Sequence, residues 1–137
     1  MAESIEHINY VRQIANYVFL LLPFDARALV LVDLPDSNRR PERTIGNFIP
    51  DLYYKDTRRL IIGEAKTEND IDRKHSIEQY RSYIREASLF DEESHIIICT
   101  SIYSYARIKN MAKRIKAEQN SSVKLHILND IGSVSIV

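Results

Sequence analysis

The chain has 137 residues, of which 45% are hydrophobic and 28% charged, and its 19 Lys+Arg are balanced by 19 Asp+Glu. That length and composition suit one soluble domain built on a single core. Zero net charge excludes a global electrostatic pull toward nucleic acid or membrane, so any polyanion contact must come from local basic patches.

Taken in chain order, residues 3–22 place Ile5, Ile8, Val11, Ala15, Val18 and Leu22 at three- and four-residue steps, which predicts an amphipathic helix stopped by Pro23. The start of the chain, Met1 to Glu6, is acidic and offers no signal-peptide pattern. The apolar stretch at 18–23 is too short to span a bilayer, so no membrane association is expected. Residues 28–33 form a continuous apolar run of strand length. Residues 36–46 are polar and basic, with the character of a mobile loop. Residues 48–54 and 60–66 read as two strands joined by the polar turn 55–59, a short-loop hairpin. A charged loop over 67–75 leads to a helix over 76–89, where Ile77, Tyr80, Ile84 and Ala87 share one face. A buried strand over 95–101 contains the one cysteine, Cys99, which reads as a packed strand residue and excludes an intrachain disulfide. A helix over 103–118 and strands over 123–128 and 134–137 close the chain. The expected order is α-β-β-β-α-β-α-β-β, an α/β domain on a mixed sheet, in a reducing, cytoplasmic setting.

Chemistry concentrates on the hairpin. Side chains alternate along a strand, so Glu64 and Lys66 emerge on one face, roughly 7 Å apart. Asp51, which follows Pro50 on the partner strand, is able to point at the same spot. Two carboxylates and an ammonium converging there make a plausible divalent-cation site beside a phosphate. The bland alternatives are a strand-end cap for Asp51, an ion pair between Glu64 and Lys66, and a solvated strand end for Lys66. Glu64 is the strongest single candidate, because an unpaired carboxylate in a buried strand is expensive.

With Pro50-Asp51, Glu64-Ala65-Lys66 on the next strand, a helix before and a helix after, the chain resembles the PD-(D/E)xK nuclease superfamily. That group includes restriction endonucleases, archaeal Holliday-junction resolvases, lambda exonuclease and the nuclease domains of recombination-repair helicases. The likeness covers roughly residues 3–118. Gln79-Tyr80-Arg81-Ser82-Tyr83 is similar to the Gln-x-x-x-Tyr motif of the helicase-linked and lambda-type branch. The resemblance implies a restriction-endonuclease-like αβββαβ core and a metal-dependent DNA nuclease acting through a metal-bound water. Asp51, Glu64 and the Ala65 backbone carbonyl would hold Mg²⁺ or Mn²⁺, and Lys66 would orient the water and offset charge on the phosphate. An acid from the first helix, Glu6 or else Glu3, would join the metal ligands, and Gln79 would support catalysis. A homodimer would extend the DNA-binding surface. The rival reading is a catalytically silent module of the same fold that binds DNA or a protein partner.

Gln79 has a second reading, since Ser76-Ile77-Glu78-Gln79 is also a capping box with Ser76 as N-cap. Tyr83 lies four residues on and shares its face, either for DNA contact or for packing. Among basic residues, Arg39, Arg40 and Arg43 are placed to grip substrate phosphates, followed by Arg73 and Lys74. The charges of the last helix read as a solvated face. His7 and His75 are expected near the site in space, while His95 and His126 read as ordinary strand residues. With three glycines in the chain, no phosphate-cradling loop is present, nor a nucleophile elbow or paired-cysteine motif.

Overall fold

Pro23, Pro50 and the glycines punctuate the chain so that helices and strands alternate much as the periodicity requires. The computed structural model describes residues 4–42, 45–68 and 74–137. Helix α1 (Ile5–Leu21) is followed by a 3₁₀ helix (Phe24–Leu29) and strands β1 (Leu31–Val32), β2 (Leu52–Lys55) and β3 (Arg59–Ala65). Then come α2 (Lys74–Ser88), β4 (Glu93–Thr100), α3 (Tyr105–Glu118), β5 (Lys124–Asn129) and β6 (Val134–Ile136). Apart from the 3₁₀ helix, this is the expected order. The six strands form one mixed sheet in sequence order. The α2 and α3 crossovers make β3, β4 and β5 parallel, while the remaining pairs are antiparallel.

Helices cover both faces, so the central strands read as unbroken apolar runs rather than alternating ones. On one face α1 packs Val11, Ile14 and Val18 against Leu52, Ile61, Ile97 and Leu128. On the other, Tyr80, Ile84, Ile108 and Ile115 of α2 and α3 meet Ile62, Ile96, Ile98 and Ile127. Gly63 permits the close approach of α1, since a Cβ there would lie 2.8 Å from Ile14 Cγ2 and 3.0 Å from Leu52 Cβ. Among the described residues no helix is long and apolar enough to cross a membrane.

Several boundaries differ from the sequence reading. The expected strand over 28–33 shrinks to two residues, because Pro23 starts a 3₁₀ turn in which Ala26 N–H donates to the Pro23 carbonyl. Arg27 Nε then reaches back to the Phe19 carbonyl and ties this turn to the end of α1. The strand expected over 48–54 begins only at Leu52. Upstream, Gly46 and Asn47 both adopt positive φ, and Ile45 and Phe48 exchange two backbone hydrogen bonds across them. That tight turn uses the residues that would have extended the strand. The second helix begins at Lys74, ahead of Ser76, so Ser76 lies inside its first turn and not at an N-cap.

Candidate active site

Asp51 is held at a junction of three strands before its side chain is considered. Its N–H donates to the Gly63 carbonyl at 3.0 Å, and its own carbonyl accepts from Asp33 N–H at 2.8 Å. The carboxylate then accepts from Ala65 N–H through Oδ2 at 2.9 Å. Its Oδ1 lies 3.3 Å from His7 Nε2. His7 arrives there through a helix cap: the Ser4 side chain accepts from His7 N–H and sets the first turn of α1.

Glu64, on the adjacent strand, points to the α2 side and is 5% exposed. Its Oε1 accepts from Tyr83 OH at 2.8 Å and from Gln79 Nε2 at 3.1 Å. Gln79 Nε2 also donates to Tyr83 OH at 3.1 Å, closing a three-membered network. The amide nitrogen of Gln79 is spent on Glu64 and Tyr83, and the capping-box role does not arise because α2 already runs through Ser76. Its Oε1 is buried with no hydrogen-bond partner among the described residues, an acceptor left facing this centre. Lys66 is buried one residue past β3, its N–H bonded to the Cys99 carbonyl at 2.9 Å. Its Nζ stands 5.8 Å from the Tyr80 ring centroid, within cation–π range.

The two carboxyls are close enough to act on one another, and their pKa values move in opposite directions. Burial, and after it the neighbouring Asp51 charge, pushes Glu64 well above the usual carboxyl range, with Lys66 and Tyr83 opposing. Burial also acts to raise Asp51. The hydrogen bonds from His7 and Glu64, the His7 charge and Ala65 N–H outweigh it and hold Asp51 below its ordinary value. Of the two, Glu64 is the carboxyl more readily protonated and Asp51 the one more readily charged. Burial and the Glu64 charge push the Tyr83 hydroxyl upward, so it remains a donor.

The structure therefore brings Asp51, Glu64, Ala65, Gln79 and Tyr83 together, with Lys66 beside them. Of the two readings of Tyr83, DNA contact and packing, its full burial agrees with packing, and its hydroxyl donates to Glu64. The helical spacing to Gln79 was the available signal. Glu6 turns away from this pair: its Oε1 accepts from Tyr10 OH at 3.0 Å, and it lines a separate cavity. Its neighbour His7 makes the α1 contact with Asp51, because successive helix positions point about 100° apart. Arg39 and Arg40 are exposed at the β1 edge and line a small cleft with Tyr53. Lys74 is exposed at the start of α2. Arg43, Arg73 and Glu3 lie outside the described residues. His75 packs edge-on against Phe48, with ring centroids 5.0 Å apart. Cys99 is buried as expected, its Sγ directed to Gln13 Oε1.

Two strand histidines form a chain that sequence reading passed over. Tyr17 OH lies 2.7 Å from His126 Nδ1, His126 Nε2 lies 2.8 Å from His95 Nδ1, and His95 Nε2 lies 2.9 Å from Glu93 Oε1. Glu93 accepts, so His95 carries its proton on Nε2 and accepts on Nδ1; His126 and Tyr17 follow in the same sense. Every donor then points toward Glu93, with both rings neutral.

The donor chemistry of the carboxyl pair fits a hard divalent cation. Two oxygens that repel one another unless a proton sits between them are the groups such an ion relieves. Among the described residues no three His, Cys, Asp or Glu side chains converge as a ligand set. Comparison with models of known protein families, with curated proteins and with solved structures found no match to this chain.

Proposed function

We propose that the chain is a metal-dependent DNA nuclease with the PD-(D/E)xK arrangement. The observation that carries this reading is the buried Asp51–Glu64 pair with Lys66 beside it, all within or next to one hairpin. Mg²⁺ or Mn²⁺, held by Asp51, Glu64 and the Ala65 carbonyl, would supply Lewis acidity and a more acidic water. Asp51 keeps its charge at the pair through Ala65 N–H and His7. Tyr83 and Gln79 hold Glu64 in one rotamer, so both carboxyls are preorganised. Lys66 provides a fixed positive charge for a phosphate on the same face. Arg39, Arg40 and Lys74, all exposed, supply cations for the phosphates of a DNA chain.

The test is a panel of labelled linear, nicked and four-way DNA substrates with Mg²⁺, Mn²⁺ or EDTA. Cleavage is expected with either metal and not with EDTA. Asp51→Asn, Glu64→Gln and Lys66→Met should each lower it by at least about 100-fold. Full activity in any of these variants refutes the assignment. The second reading is a silent module of the same fold that binds DNA or a protein, since among the described residues no group of three His, Cys, Asp or Glu side chains is arranged to hold a metal. Calorimetry with Mn²⁺ that finds no site dependent on Asp51 and Glu64 would decide for it.

A further inference from the structure

A cavity of about 780 Å³ opens at the carboxyl ends of the three parallel strands. Glu68 follows β3, Ser101 and Tyr103 follow β4, and Asp130 follows β5, with α1 forming the opposite wall. Open α/β sheets bind ligands at this end of their strands. Glu6 and Tyr10 on its wall belong to α1, the helix whose His7 contacts Asp51.

Its polar groups are held in place yet keep capacity to bind. Tyr10 OH donates to Glu6 at 3.0 Å, Ser101 Oγ to Glu68 at 3.0 Å, and Ile102 N–H to Asp130 at 2.9 Å. Each carboxylate has further lone pairs for a ligand. Asn9, Gln13 and Asn16 lie four and three residues apart on α1 and line the same wall, an amide stripe along one helix face in which Gln13 already donates to the Asn129 carbonyl and accepts from Cys99 Sγ. At the mouth Tyr103 is 86% exposed, an open aromatic face.

Three carboxylates face one cation, Arg12, whose guanidinium is drawn to Asp36 at 3.6 Å. That balance repels phosphate. It attracts a flat ligand with amino donors, which carboxylates and amides accept from and which an aromatic ring stacks on. A bare cation would satisfy the carboxylates but leave the amide stripe and the Tyr103 ring unused. We propose that this cavity seats an unpaired nucleobase bearing an exocyclic amino group, so that the substrate is a strand with a single-stranded segment next to the cleaved bond. The inference rests on the nucleic-acid reading of the neighbouring site.

The test is fluorescence anisotropy in EDTA with short labelled oligo(dC), oligo(dA), oligo(dT) and a blunt duplex. Oligo(dC) and oligo(dA) are expected to bind about tenfold tighter than oligo(dT), which has no amino group. Tyr103→Ala and Asn9→Ala, both at exposed positions, should each weaken oligo(dC) binding about tenfold and leave duplex binding unchanged. Equal affinity for the three oligonucleotides, or no effect of Tyr103→Ala, overturns the proposal. So does a spermidine titration that shifts the Asn9 and Asn16 side-chain NMR signals while oligonucleotides leave them in place, since the cavity then takes an organic cation. Binding is read without hydrolysis: base selectivity in a protein that cuts nothing would support the cavity and remove the nuclease reading. Cleavage without base selectivity would do the reverse.

Discussion

Tyr83→Phe removes one oxygen atom from the centre of the site and preserves the ring that packs between α2 and the sheet. The lost hydroxyl donates to Glu64 Oε1 at 2.8 Å and accepts from Gln79 Nε2 at 3.1 Å. Neither partner is able to turn to solvent, since Glu64 and Gln79 are both buried. Gln79 keeps its own bond to Glu64, so one donor is weakened and not orphaned. The expected cost is therefore about 1–3 kcal/mol, the range for a buried polar group that loses a partner. A double-mutant cycle with Glu64→Ala, which removes the acceptor oxygen, read by urea unfolding of metal-free protein, isolates the bond from the packing. Residues in one buried network should couple by about 0.5–3 kcal/mol. Two single mutants whose effects add within about 0.3 kcal/mol would show that Tyr83 does not act on Glu64, and the positioning role would fall.

Gly63→Ala drives a methyl group into Ile14 and the rigid Leu52 Cβ, and should destabilise the fold by about 1–3 kcal/mol in thermal or urea melts. An unchanged midpoint would mean that α1 sits farther from β3 than described. Mn²⁺ at a hundredfold excess over its dissociation constant should stabilise the wild type by about 2.7 kcal/mol. The same titration should leave Asp51→Asn unmoved, and an equal shift in both would place the ion elsewhere. Burial, and then the neighbouring His95, pushes His126 down from 6.5 to about 4. Unfolded His126 therefore binds more protons than folded between these values. Stability is fully present above pH 6.5 and is lost as pH falls toward 4. The shift sets a ceiling of about 3 kcal/mol, and solvent screening reduces it to on the order of 1–2 kcal/mol. His126→Gln should flatten the urea-midpoint profile across this window, although Glu93, Lys124, His95 and Tyr17 surround the ring. A slope equal to that of the wild type refutes it.

Much of this architecture was legible without coordinates. Three- and four-residue apolar steps marked α1, α2 and α3, and buried runs such as Ile96–Ile98 marked strands that helices cover on both faces. The places where that reading failed are instructive. The 28–33 run has strand composition, but Pro23 and the Arg27 contact with the end of α1 select a 3₁₀ turn first. The capping pattern at Ser76 was a valid local option, but α2 already begins at Lys74 and leaves no N-cap there.

The sequence by itself determined that Glu64 and Lys66 share one face and that Asp51, just ahead of β2, comes beside them across a short turn, because strand alternation and a short turn are local rules. Only the tertiary structure decided that His7 and not Glu6 meets Asp51, that Tyr83 is buried against Glu64, and that the α1 amides face the strand ends across a cavity. Those arrangements bring together residues as far apart as His7 and Asp51, in contact, and Asn9 and Asp130, on the walls of one cavity. Their geometry depends on the rotation of α1 about its axis and its distance from the sheet. Both are set by how Ile14 fits over Gly63, which no local pattern encodes.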